Sequence, residues 1–136
     1  MTELPPGSTI GILGAGQLGR MLSVAASRLG YRSHIYEPAG APAGDVAHAV
    51  THAPYEDAAA LRAFAESVDV ITYEFENVDL TAVDAIADLV PVRPGRRALE
   101  VSQDRLAEKG FLRGLGLATA PFAEVNDAEG LAAALG

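Results

Sequence analysis

The chain predicts an α/β fold in which a parallel sheet lies between two layers of helices, a three-layer arrangement. Three observations lead there. Short β-rich runs alternate with alanine-rich amphipathic segments along residues 8–92, which is the pattern of βαβ units. A glycine-rich turn, Gly14 to Gly19, joins the first run to the first amphipathic segment. A hydrophobic fraction of 49% with 21% charged residues is that of a globular core under a solvated surface. At 136 residues there is room for one ordinary domain and a short appendage.

Each element has its own signal. Residues 8–13 read as the first strand, and residues 17–29 as a helix with Leu18, Met21, Leu22, Ala25 and Leu29 gathered on one face. Gly30 is placed to close that helix. Residues 32–36 form the second strand, followed by Glu37, Pro38 and a Gly/Pro/Ala-rich loop over 39–44. Residues 47–51 are a weak third strand. Asp57 is a natural cap for a helix reaching residue 67 with Leu61, Phe64 and Ala65 inward. A fourth strand spans 68–73, a helix 79–88, and a short fifth strand 89–92 ends at Pro94-Gly95.

From residue 96 the character changes. Helical segments are predicted over 96–101 and 102–115, then an extended run through Thr119-Ala120-Pro121-Phe122, and a last helix capped by Asn126. These residues are too poor in apolar side chains for a core of their own. We therefore divide the chain into a domain over 1–100 and a region over 101–136 that reads as a linker helix and the opening of a second domain.

Composition removes several classes of function. Eighteen acidic against ten basic residues give a net charge of −8, which disfavours nucleic acid and anionic lipid. No apolar run approaches the length of a membrane span. The first seven residues lack a basic region followed by an apolar stretch, so a cytoplasmic location is expected. With no cysteine, disulfides, thiolate zinc sites and thiol nucleophiles are excluded. His48 and His52 are four apart, but the residues between them read as strand, so no metal site is expected.

The turn Gly14-Ala15-Gly16-Gln17-Leu18-Gly19 carries the chemistry. Following a strand and opening a helix, a G-x-G-x-x-G points backbone N–H groups and a positive helix end at a phosphate. Glu37 ends the second strand 18 residues after Gly19, where a dinucleotide fold places the acid that binds ribose. An NAD(P)-binding domain of an oxidoreductase is thus one reading. Gln17 and Arg20 at the helix start, and Glu74 and Glu76 after the fourth strand, favour a different phosphorylated ligand. Carboxylates at the carboxyl edge of a parallel sheet can accept hydrogen bonds from ribose hydroxyls or an amino group, and would share a side if the strand ran on to Glu76.

At these residues the chain resembles the N5-carboxyaminoimidazole ribonucleotide synthases, ATP-grasp ligases of purine biosynthesis. The resemblance rests on the run from Gly14 to Leu22, on Tyr73-Glu74-Phe75-Glu76-Asn77-Val78, on Pro94, and on Gln103-Asp104-Arg105-Leu106 through Lys109 to Phe122. It implies a Rossmann-like pre-ATP-grasp domain followed by the start of the ATP-grasp region. It also implies ATP, Mg2+, bicarbonate and 5-aminoimidazole ribonucleotide as reactants, and a homodimer. Carried over by position, Gly16, Gln17 and Leu18 would receive the ribonucleotide 5′-phosphate, Glu74 the ribose hydroxyls, and Arg105 the ATP phosphates. Family members are much longer, so no catalytic residue and no metal ligand is expected within these residues. The purified chain is accordingly expected to show no ATP-dependent bicarbonate turnover; a coupled assay for ADP release that registers turnover would overturn this.

Overall fold

The computed structural model describes residues 3–40 and 42–136. The chain divides into two compact units, Met1–Glu100 and Val101–Gly136. The first is built on four parallel strands, β1 (Thr9–Leu13), β2 (Arg32–Tyr36), β3 (Ala49–Thr51) and β4 (Val70–Tyr73), in the order β3-β2-β1-β4. The chain thus runs outward from β1 through β2 to β3, then crosses to β4 on the other side of β1. Such a reversal opens a crevice at the carboxyl ends of the central strands.

Helices α1 (Gln17–Arg28), α2 (Ala58–Glu66) and α3 (Leu80–Asp84) follow β1, β3 and β4. The larger core holds Leu13, Tyr36, Leu61, Phe64, Ile71 and Ile86 among its buried members. Leu61, Phe64 and Ala65 of α2 are buried, as their spacing predicts. Asp57 caps that helix, accepting from Ala60 N–H at 3.0 Å. A smaller core on another part of the sheet gathers Ile12, Ala15, Ile35 and Ala43.

Helix α1 departs from its predicted orientation. An apolar helix face normally turns inward, yet Leu18, Met21 and Leu29 are 55%, 59% and 69% exposed. Gly19, Ser23 and Ala26 are buried instead. The reason is the distance of approach: a Cβ on Gly19 would lie 2.9 Å from the main-chain oxygen of Gly14. A helix drawn so close to the turn before it can present only small side chains there, and the larger ones remain outside.

Other boundaries shift for local reasons. Residues 89–92 make a single parallel bridge, Ile71 to Val92, in place of a fifth strand. The helix expected over 79–88 is shortened to α3, capped by Asp79, whose carboxylate accepts from Thr81 N–H at 2.8 Å. The expected loop over 39–44 runs into a 3-10 turn, Pro42–Asp45. Helices α4 (Arg96–Gln103) and α5 (Arg105–Gly114) divide at Asp104, which caps α5 through Ala107 N–H at 2.7 Å, rather than at Ser102. In α6 (Ala128–Leu135) the cap is Asp127, not Asn126, accepting from Gly130 N–H at 2.7 Å. Within the second unit, Lys109 and Arg113 of α5 lie over the Phe122 ring, at 5.3 and 4.2 Å from its centre.

His34 on β2 ties three elements of the first unit together. Its Nδ1 is 2.9 Å from Ser67 Oγ and its Nε2 is 2.8 Å from Thr51 Oγ1. The Ser67 hydroxyl donates its one hydrogen to Phe64 O, so it accepts from Nδ1–H, and Nε2 in turn accepts from Thr51. This arrangement suits the neutral ring. Burial, followed by the charge of His48, lowers the His34 pKa below the ordinary 6.5. The unfolded chain therefore binds the proton more readily, and the His34 contribution is full above pH 6.5 and declines as pH falls from there towards the lowered folded value. The melting temperature is expected to drop between about pH 7.5 and about pH 5.5, with a smaller drop in His34→Gln, as read by circular dichroism.

Candidate functional site

The site follows from strand register. Leu13 pairs with Tyr36 on one side and Tyr73 on the other, so the next residues, Gly14, Glu37 and Glu74, leave the sheet side by side. Backbone bonds hold them there: Gly14 N–H donates to Tyr36 O at 3.0 Å, and Glu74 N–H to Leu13 O at 3.1 Å. Gly14 has φ of +104°, a conformation a side chain would oppose, and this turns the chain into α1.

Two carboxylates close over the turn. Glu37 Oε2 accepts from Ala15 N–H at 3.1 Å. Glu74 accepts from Gly16 N–H through Oε1 at 2.6 Å and from Gly19 N–H through Oε2. These are orphan donors of a helix start, and a carboxylate there is favoured by the helix dipole. No acidic residue occupies the first turn of α1 itself, and Gly16 offers no side-chain cap; Glu74 fills that role from the end of β4. The N–H groups of Gln17 and Leu18 have no protein partner among the described residues.

The predicted site residues therefore separate. Gly16, Gln17, Leu18 and Glu74 lie together, with Gly16 N–H held by Glu74. Glu37, read as a ribose acid of a dinucleotide site, is engaged with Ala15. Arg20 turns to Pro42 O at 2.8 Å and Asp45 at 3.6 Å. Glu76 is exposed, and because β4 ends at Tyr73 the strand alternation does not reach it. In the second unit, Arg105 opens α5 with an exposed side chain paired to Glu108.

Sequence reasoning passed over Tyr55. It lies between β3 and α2, packs on the larger core, and its pKa is raised by burial and then by the charges of Glu37 and Glu74. An aromatic residue in a short turn gives no signal of its own; proximity to both acids becomes visible only once the strands are assembled.

Fold and site together define a parallel α/β domain whose glycine turn, at the carboxyl ends of the central strands, is closed by acids from neighbouring strand ends. The match to a family model is correspondingly specific: residues 7–103 fit the ribonucleotide synthetase pre-ATP-grasp domain, and the chain belongs to that family. It is 55% identical to N5-carboxyaminoimidazole ribonucleotide synthase of Brucella melitensis over 99% of its own length and 38% of the relative's. The Thermus thermophilus N5-carboxyaminoimidazole ribonucleotide synthetase structure superposes with a TM-score of 0.83 at 45% identity, covering 93% of this chain and 35% of that one. A structure of the Aspergillus clavatus synthase, in complex with ADP and 5-aminoimidazole ribonucleotide, gives 0.79 at 30% identity over 95% and 35%. The chain thus spans little more than a third of the length of these relatives. None of these relatives is an oxidoreductase, so the NAD(P) reading finds no support among them.

The glycines should differ in tolerance. A Cβ on Gly16 would meet the carboxylate end of the Glu74 side chain, with Oε1 at 2.8 Å, whereas one on Gly19 would meet the main-chain oxygen of Gly14 at 2.9 Å. Gly19→Ala gains about 1 kcal/mol of helix propensity and loses about 1–3 kcal/mol to overpacking. It is therefore expected to lower the denaturation midpoint more than Gly16→Ala, whose main effect should be a shifted Gly19 amide resonance as Glu74 is displaced.

Proposed function

We propose that this chain is the ribonucleotide-binding part of an ATP-dependent ligase that carboxylates 5-aminoimidazole ribonucleotide. The observation that carries the reading is the Glu74 carboxylate fixed over the glycine turn at the carboxyl edge of the sheet, in a chain of the pre-ATP-grasp family. A carboxylate has about four acceptor positions, and two are used by Gly16 and Gly19. The remainder accept from ribose hydroxyls, while the N–H groups of Gln17 and Leu18 are the donors left for the 5′-phosphate at the positive helix end.

The whole reaction uses ATP to activate bicarbonate as carboxyphosphate, whose carboxyl group passes to the exocyclic amine of the ribonucleotide. In this chain Arg105 is the residue assigned to ATP phosphates, by bidentate pairing of its guanidinium. Mg2+ on the nucleotide phosphates is assigned no residue of this chain; among the described residues no group of three or more His, Asp or Glu could hold a metal ion. Residues 1–100 serve the ribonucleotide, and residues 101–136 open the ATP-grasp region. A homodimer and a cytoplasmic location belong to the same reading, supported by family membership.

Titration of the 15N-labelled chain with 5-aminoimidazole ribonucleotide is expected to move the Gln17 and Leu18 amide resonances, with weak affinity. Glu74→Ala should abolish the movement. NADH should leave these resonances in place; NADH binding lost in Glu37→Ala would instead restore the oxidoreductase reading.

A further inference from the structure

Tyr55 has a firmly held ring and a poorly held hydroxyl. The ring packs on the larger core and lies 5.6 Å from that of Tyr36, whose own hydroxyl donates to Pro54 O at 2.7 Å and fixes the segment to β2. The Tyr55 hydroxyl reaches only Tyr36 O, at 3.5 Å. That is far longer than the roughly 2.7–2.8 Å of a good O–H···O bond, and the same oxygen already accepts Gly14 N–H at 3.0 Å. Phenylalanine would fill the same space without desolvating a hydroxyl that the fold barely satisfies.

The surroundings say what would complete it. Burial and the neighbouring Glu37 and Glu74 carboxylates hold the phenol in its protonated, donor form. The Tyr36 oxygen that Tyr55 reaches is also bonded to Gly14 N–H, and Glu74 packs on Gly14 so closely that a Cβ there would lie 2.5 Å from its Cγ. The Tyr55 donor thus stands at the turn over which the Glu74 acceptor closes. A ribose hydroxyl is both acceptor and donor and satisfies the two at once. A phosphate dianion would accept from Tyr55 but offers Glu74 no hydrogen and repels its charge.

We propose that the Tyr55 hydroxyl is a ligand-contacting, specificity-determining group of the ribonucleotide site, donating to a ribose hydroxyl whose own hydrogen goes to Glu74. This rests on the ribonucleotide reading above. Phosphate at Gln17 and Leu18 and ribose at Glu74 and Tyr55 then fix the ligand's direction in the crevice.

The test is a titration of the full 136-residue chain with 5-aminoimidazole ribonucleotide, followed by nuclear magnetic resonance on amide and tyrosine Cζ signals, with thermal unfolding in parallel. The wild-type Tyr55 Cζ resonance is expected to move on binding. Tyr55→Phe should weaken binding by about five- to tenfold while its melting temperature stays level or rises. Wild-type affinity in Tyr55→Phe, or a loss of affinity accompanied by a fall in melting temperature, overturns the assignment and marks the hydroxyl as structural or idle. Binding that Glu74→Ala abolishes and Tyr55→Phe leaves intact removes Tyr55 alone, whereas absence of wild-type binding removes the ribonucleotide reading with it.

Discussion

Everything at the ligand edge depends on one carboxylate meeting two backbone N–H groups. Glu74, leaving β4, is held by Gly16 and Gly19 at the start of α1. This bond pair ties the end of β4 to the start of α1, beyond the last strand pair of Leu13 with Tyr73. It also sets the depth of α1. Gly19 must reach both Glu74 and the turn, so the helix is drawn in until only Gly19, Ser23 and Ala26 fit beneath it. The exposed apolar face of α1 is a consequence of that approach.

Glu37 repeats the device on the other side of β1. Because β1, β2 and β4 end in register, two acids separated by 37 positions in sequence arrive on either side of one turn, each bound to its backbone. The turn is therefore rigidified from both sides before any ligand arrives. Preorganisation of this kind keeps the cost of ordering a loop out of the binding step.

Much of this was legible in the sequence, and the exceptions have physical causes. Strand β2 and the start of α1 match their predicted bounds because Gly30 and the glycine turn punctuate them sharply. That Gly16, Gln17, Leu18 and Glu74 come together was legible too, since a strand-turn-helix and a strand end must place them side by side. The direction of the contacts was not. Periodicity reports which residues share a helix face but not which face is buried, and α1 inverts the usual answer because close approach selects size over hydropathy. Likewise, Glu37 beside a glycine turn matches a dinucleotide pattern equally well whether its carboxylate faces a ribose or the turn's own Ala15. Tyr55 was invisible because its partners come from β2 and β4, remote in sequence.

On the proposed function, charge distinguishes a ribose-bearing monophosphate from a dinucleotide at this turn. The chain carries a net charge of −8, so no general field draws a phosphate in, and binding must rest on local donors. A pyrophosphate spread along the turn would need the N–H groups of Ala15, Gly16 and Gly19, and would have to displace two carboxylates that already satisfy them at short range. A monophosphate needs fewer donors, and Gln17 and Leu18 supply two at the positive end of α1. The acids then cease to be obstacles: a ribose hydroxyl brings the hydrogens that carboxylates accept. On the proposed function, the same pair of glutamates that covers three N–H groups of the turn makes its rim an acceptor surface for sugar.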